Sequence, residues 1–151
     1  KDPMHAARYP LTAIAALSAL AACSAEGGDG ISRDTEPFSG IGEGEVIEVS
    51  GTEPFWAMTI DQSKGAAAYS TPENIDGERF AIARFAGNNG LGFTGTLEGG
   101  DPVTVTITPG ESRDGMSDFT YPFTATAEIG GRDLKGCAFT DSQGREGPGA
   151  A

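Results

Sequence analysis

The sequence predicts an all-β domain, a small antiparallel meander of about eight strands closed into a barrel or a flattened sandwich. Three observations lead there. Apolar and polar residues alternate with a period of two along much of residues 44–141, as half-buried strands require. Between these runs lie "DQSKG", "NIDG", "GNNG", "EGGD" and "IGGRD", whose Gly, Asn and Asp suit positive φ or Asx turns. No part of this span has a convincing helical period. Short strands expose unpaired edges unless the sheet closes on itself, which favours the barrel.

In chain order, "VIEVS" (46–50) and "FWAMTI" (55–60) come first, then "GAAAYST" (65–71), "ERFAIARF" (78–85) and "LGFTGTL" (91–97). "PVTVTIT" alternates most cleanly: Val103, Val105 and Ile107 face one way, Thr104, Thr106 and Thr108 the other. β-branched Thr suits an exposed pleat. "FTYPFTATAEI" (119–129) repeats the pattern, with Phe119, Tyr121, Phe123, Ala125, Ala127 and Ile129 on one face. Pro122 has no amide hydrogen, so this strand is expected to be an edge or bulged there. "RDLKGCAF" (132–139) ends the series.

Residues 1–23 read as a leader. Lys1, Asp2 and Pro3 precede Met4 and are set aside; Met4, His5 and Arg8 then make a weakly basic start. Leu11 to Ala22 is an apolar stretch shorter than the roughly 20 residues a bilayer span needs, but suited to a signal peptide. It ends in Leu20-Ala21-Ala22-Cys23, which resembles the lipobox of bacterial lipoproteins, where the cysteine is acylated and becomes the mature N-terminus. Ordinary secretory cleavage with an incidental Cys23 is the other reading. Ser24 after the cysteine resembles an outer-membrane sorting signal, so the expected address is the periplasmic face of the outer membrane. Residues 24–43, rich in Gly, Ser and acids, read as a flexible tether, 44–141 as the β domain and 142–151 as a disordered tail.

Charge and inventory exclude whole classes of chemistry. The chain has 10 Lys and Arg against 22 Asp and Glu; loss of Lys1, Arg8 and Asp2 with the leader leaves 8 against 21, a net charge of −13. Phosphate binding needs basic clusters, so no nucleic-acid partner is expected and a basic protein is. The single histidine, His5, lies in the leader, and the remaining cysteines are Cys23 and Cys137. No Ser-His-Asp triad, Cys-His pair or standard zinc site can be assembled from them. No cofactor, metal or enzymatic activity is expected, although carboxylate chemistry needs only Asp and Glu.

Two local clusters hold the candidate site residues. In "GTEPFW" (51–56), Gly51 permits a tight turn, Pro54 fixes φ at a strand start, and Phe55 and Trp56 point to opposite faces. One aromatic enters the core; a surface aromatic beside Glu53 would hold a ligand or partner, with Trp56 and Glu53 as candidates. In "GESRDGMSDFTYPF" (110–123), Asp114, Ser117 and Asp118 bring oxygens close together and Gly115 relieves the backbone. Three such side chains without a bidentate Glu fall short of a calcium loop. A structural turn is the expectation, with Asp114 and Asp118 as candidate contacts and Met116 as a plug at the bottom of the core.

These stretches, with "LKGCAF", resemble an uncharacterised family of bacterial envelope lipoproteins over roughly residues 45–140. Its members carry a Gly-X-Glu-Pro-Phe-Trp run and a Cys-X-Asp-Gly-Met-Ser-Asp…Tyr-Pro…Gly-Cys-Ala run. The resemblance implies an exported β-rich domain, sometimes beside lysozyme-inhibitor-like or heat-shock-lipoprotein domains, with no established activity. It also implies a disulfide to the position of Cys137, but Ser112 stands where the pattern has its first cysteine. A crosslink over about 24 residues, typically worth about 2–4 kcal/mol, is therefore lost. Cys137 is expected to be buried and inert, a reactive thiol being the lesser reading.

Function is expected to be binding: a lipid-anchored interaction domain attached to the membrane through Cys23, with a basic protein such as lysozyme as one candidate partner. A carrier using the barrel interior for a small apolar ligand is the alternative, since small residues at 66–68, 92 and 95 would leave room. A glycan hydrolase built on Glu53, Asp114 and Asp118 is a third reading. It requires two carboxyl groups about 5–9.5 Å apart across a cleft.

Overall fold

The computed structural model describes residues 36–147. The expected leader, Cys23, most of the expected tether and residues 148–151 lie outside the described residues. Eight strands follow one another: β1 (Val46–Thr52), β2 (Phe55–Asp61), β3 (Ala66–Thr71), β4 (Asn74–Gly87), β5 (Gly90–Thr96), β6 (Pro102–Ser112), β7 (Tyr121–Ile129) and β8 (Arg132–Thr140). Each pairs antiparallel with its neighbours, and β8 returns to β1, so the sheet is a closed barrel rather than a sandwich. Each expected strand is present.

Alternation sorts side chains as the sequence predicts. Ile47 and Val49, Met58 and Ile60, Leu91 and Phe93, and Val103, Val105 and Ile107 point inward and are buried in one apolar cluster. The threonines of β6 face out. Pro122 lies opposite a shift in the β6–β7 register between Pro109 and Ser112, so the irregularity falls on the partner strand. Gly130 and Gly131, at φ 57° and 77°, make the two-residue turn between β7 and β8. "NIDG" is not a turn: the chain reverses at Pro72–Glu73, Asn74 pairs with Thr71, and Ile75–Gly77 forms a bulge in β4.

Three expectations are corrected. The folded part extends beyond 44–141: Phe38 donates its amide to Gly87 O (2.7 Å), Ile41 is fully buried in the core, and Glu146 pairs with Thr120. Polar composition hid this, because one isoleucine suffices to seat a segment whose backbone and side chains bond to turns. Second, Ile41 rather than Met116 closes the barrel's lower end, beside the β2–β3 and β4–β5 turns; Met116 is 69% exposed. Third, the small residues do not open the interior. Ala66, Ala68 and Gly92 face outward, while Ala67 faces inward. Gly95 also faces inward, but the Phe80 ring lies against it, 2.6 Å from where a Cβ would stand.

Candidate functional site

The β6–β7 connection, residues 113–120, is a strap lying across the outer face of β8 to reach β1. Its foundation is local. The Asp114 carboxylate accepts the amides of Met116 (3.0 Å) and Ser117 (2.8 Å), the Ser117 hydroxyl (2.7 Å) and the Tyr121 phenol (3.0 Å). Gly115, at φ 74°, allows the reversal. These bonds, the Ser117 hydroxyl first, hold the Asp114 carboxyl well below the usual carboxylate range. The carboxylate is thus committed to its own loop.

Contacts at both sides fix the strap to the barrel. The Thr52 hydroxyl donates to Asp114 O at 3.0 Å. Thr120 and Glu146 exchange two backbone bonds of 2.8 Å, and the Arg145 guanidinium lies over the Phe119 ring (4.2 Å) and the Phe139 ring (5.4 Å). Beneath the strap, Cys137 is buried and unpaired, and the Ser112 hydroxyl nearby donates to Phe123 O at 2.8 Å. Burial pushes its thiol pKa up, which favours the protonated form. Ser112 and Cys137 line the same groove.

The β1–β2 hairpin supplies the other wall. It turns at Glu53–Pro54, joined by a cis peptide bond, so Gly51 is not the turn residue. Gly51 instead makes room for Trp56. The indole lies over Gly51 and Gly136, and its Nε1 donates to Lys135 O at 3.2 Å, carrying a hydrogen bond across the β1–β8 seam beyond its last paired residues, Ser50 and Cys137. Trp56 is accordingly buried, and the surface aromatic beside Glu53 is Phe55, 51% exposed.

Strap and hairpin enclose two adjoining grooves on the outside of the barrel. One, about 710 Å³, runs between the strap and β8, past Glu53, Arg113, Asp133 and Lys135. The other, about 490 Å³, lies over the outer faces of β1–β3, with Phe55, Ile75, Met116, Tyr121 and Arg145 in its walls. Ser50, Gly51, Thr52, Phe55, Asp114 and Met116 line both. The two motif clusters, about 60 residues apart in sequence, thus meet at one place.

Of the four residues singled out in the sequence, Glu53 stands exposed in the wall, Asp114 braces the strap and Trp56 forms part of the floor. Asp118 is exposed and borders neither groove. Phe55 and Ile75 were not singled out; Phe55 was discernible as the aromatic opposite Trp56, Ile75 only from the bulge. Among the described residues, no group of three or more His, Cys, Asp or Glu could hold a metal ion. No protein-family model, curated protein or solved structure matches the chain.

Proposed function

We propose that this chain is a lipid-anchored binding domain of the bacterial cell envelope, held by an acyl group on Cys23 at the periplasmic face of the outer membrane, and that it acts by docking a basic protein rather than by catalysis. One observation carries the binding half: both motif clusters converge on an outer groove of a barrel whose inward-facing residues pack into one apolar cluster. The lipobox-like run and the resemblance to envelope lipoproteins support the address, and the net charge supports a cationic partner, of which lysozyme is one candidate. The hydrolase reading loses its second carboxylate, since Asp114 is bonded within its loop and Asp118 stands apart from both grooves.

The test is a photo-crosslinking residue at position 116 of the acylated protein in intact bacteria. Adducts with another envelope protein are expected, and none when the probe replaces Thr94 on the outer face of β5. Equal labelling from both positions, or none from either, would overturn the binding reading. Cys23→Ser should release the protein from the membrane fraction, and undiminished lysozyme activity in its presence at low salt would remove that particular partner.

A further inference from the structure

The exposed apolar side chains are not scattered. Among the described residues four large hydrophobics are exposed, and three of them, Phe55, Ile75 (82%) and Met116 (69%), line the 490 Å³ groove. The fourth, Phe85, covers Gly92 on the neighbouring strand instead. Large exposed apolar groups gathered in one place mark an interaction surface, and aromatic and Met side chains are the usual anchors of one.

Charge narrows what fits. In sequence, Glu53 lies two residues from Phe55, and Glu73 and Asp76 flank Ile75. All three carboxylates are exposed, and none forms an ion pair among the described residues. Arg145 is the one basic side chain in this groove, and its guanidinium is turned onto Phe119 and Phe139. An apolar groove whose exposed hydrophobic residues have unpaired carboxylates close by in sequence, Glu53 among them lining the adjoining groove, complements a segment with the opposite arrangement, large apolar side chains set among lysines and arginines. Because the barrel is closed, it offers no strand edge to extend; recognition must run through side chains.

We propose that this groove docks a cationic amphipathic segment of a partner protein, its apolar side chains seated between Phe55, Ile75 and Met116 and its basic ones against Glu53, Glu73 and Asp76. The assignment rests on the binding reading above and names the chemistry of the partner.

Methionine methyl NMR tests it directly. The chain has three methionines, of which Met58 is buried in the core and Met116 stands in the groove, so one reports on docking and the other on the fold. Titration of methyl-labelled protein with a synthetic Leu/Lys amphipathic peptide should shift Met116 saturably and leave Met58 in place. Added salt should weaken the binding. Phe55→Ser with Ile75→Ser should reduce affinity about tenfold or more, as should Glu53→Gln with Glu73→Gln and Asp76→Asn. An unmoved Met116, equal binding of a Leu/Glu peptide, or a saturable shift with decanoate alone would overturn the proposal. Position-specific crosslinks from residue 116 in cells would still stand after such a failure, so the two readings fail separately.

Discussion

Asp114 accepts four hydrogen bonds from its own loop and Tyr121, and its ionisation is tied to folding through them. Its pKa is depressed in the folded state, so the stability it contributes is complete above its ordinary value of 3.8 and is lost as pH falls below that. Asp114→Asn should cost about 1 kcal/mol at neutral pH, because exposed and part-buried loop donors lose a charged acceptor. The gap in melting temperature between wild type and variant should narrow as pH drops below about 4. Thermal melts across a pH series check both the size and the sign. Gly51 is the second residue whose role is set by a neighbour: a Cβ there would overlap the Trp56 indole and Lys135 O. Gly51→Ala should destabilise by about 1–3 kcal/mol. The fluorescence of Trp56, the only tryptophan, reports the accompanying disturbance of the seam in urea titrations.

At the scale of elements, strands and strap differ in how far they could be read. A period of two is a local property, so each strand was visible in its own residues. The strap was not, because it depends on partners far away in sequence: Thr52, Cys137 and Glu146. Likewise "GTEPFW" announced that its aromatics face opposite ways. Trp56 turns inward in phase with Met58 and Ile60, and the indole has room because the residue paired with it, Gly51, and Gly136 on β8 both lack side chains. The strap also carries a prediction. Ser112→Cys should form a disulfide with Cys137, stabilising the domain by about 2–4 kcal/mol under oxidising conditions and not under reducing ones. Mass spectrometry of the alkylated protein with paired melts settles it. A variant that stays reduced in air would show that the strap holds these positions apart.

At the scale of the barrel, closure at both the seam and the lower end ties the described residues together. Ile41 is buried in the barrel's core although it precedes the first strand by several residues. Ile41→Ala should therefore cost about 2–5 kcal/mol, the range for deleting a buried aliphatic side chain. A chain starting at Glu36 should melt like the longer protein, and one starting at Gly44 well below it. The Gly- and acid-rich composition that suggested a tether is real; a single buried side chain and bonds such as Gln143 Nε2 to Gly40 O (2.7 Å) outweigh it.

The chain enters the barrel at the pole where Ile41 is seated, and the Phe55–Ile75 groove lies toward the other, beside the β1–β2 and β3–β4 turns. A pull between the N-terminal side and anything gripping that groove would thus run lengthwise along β1. Its ladder rungs to β2 and to β8 would share the tension in shear instead of parting one by one. A sideways tug at the seam would instead load the β1–β8 rungs one after another.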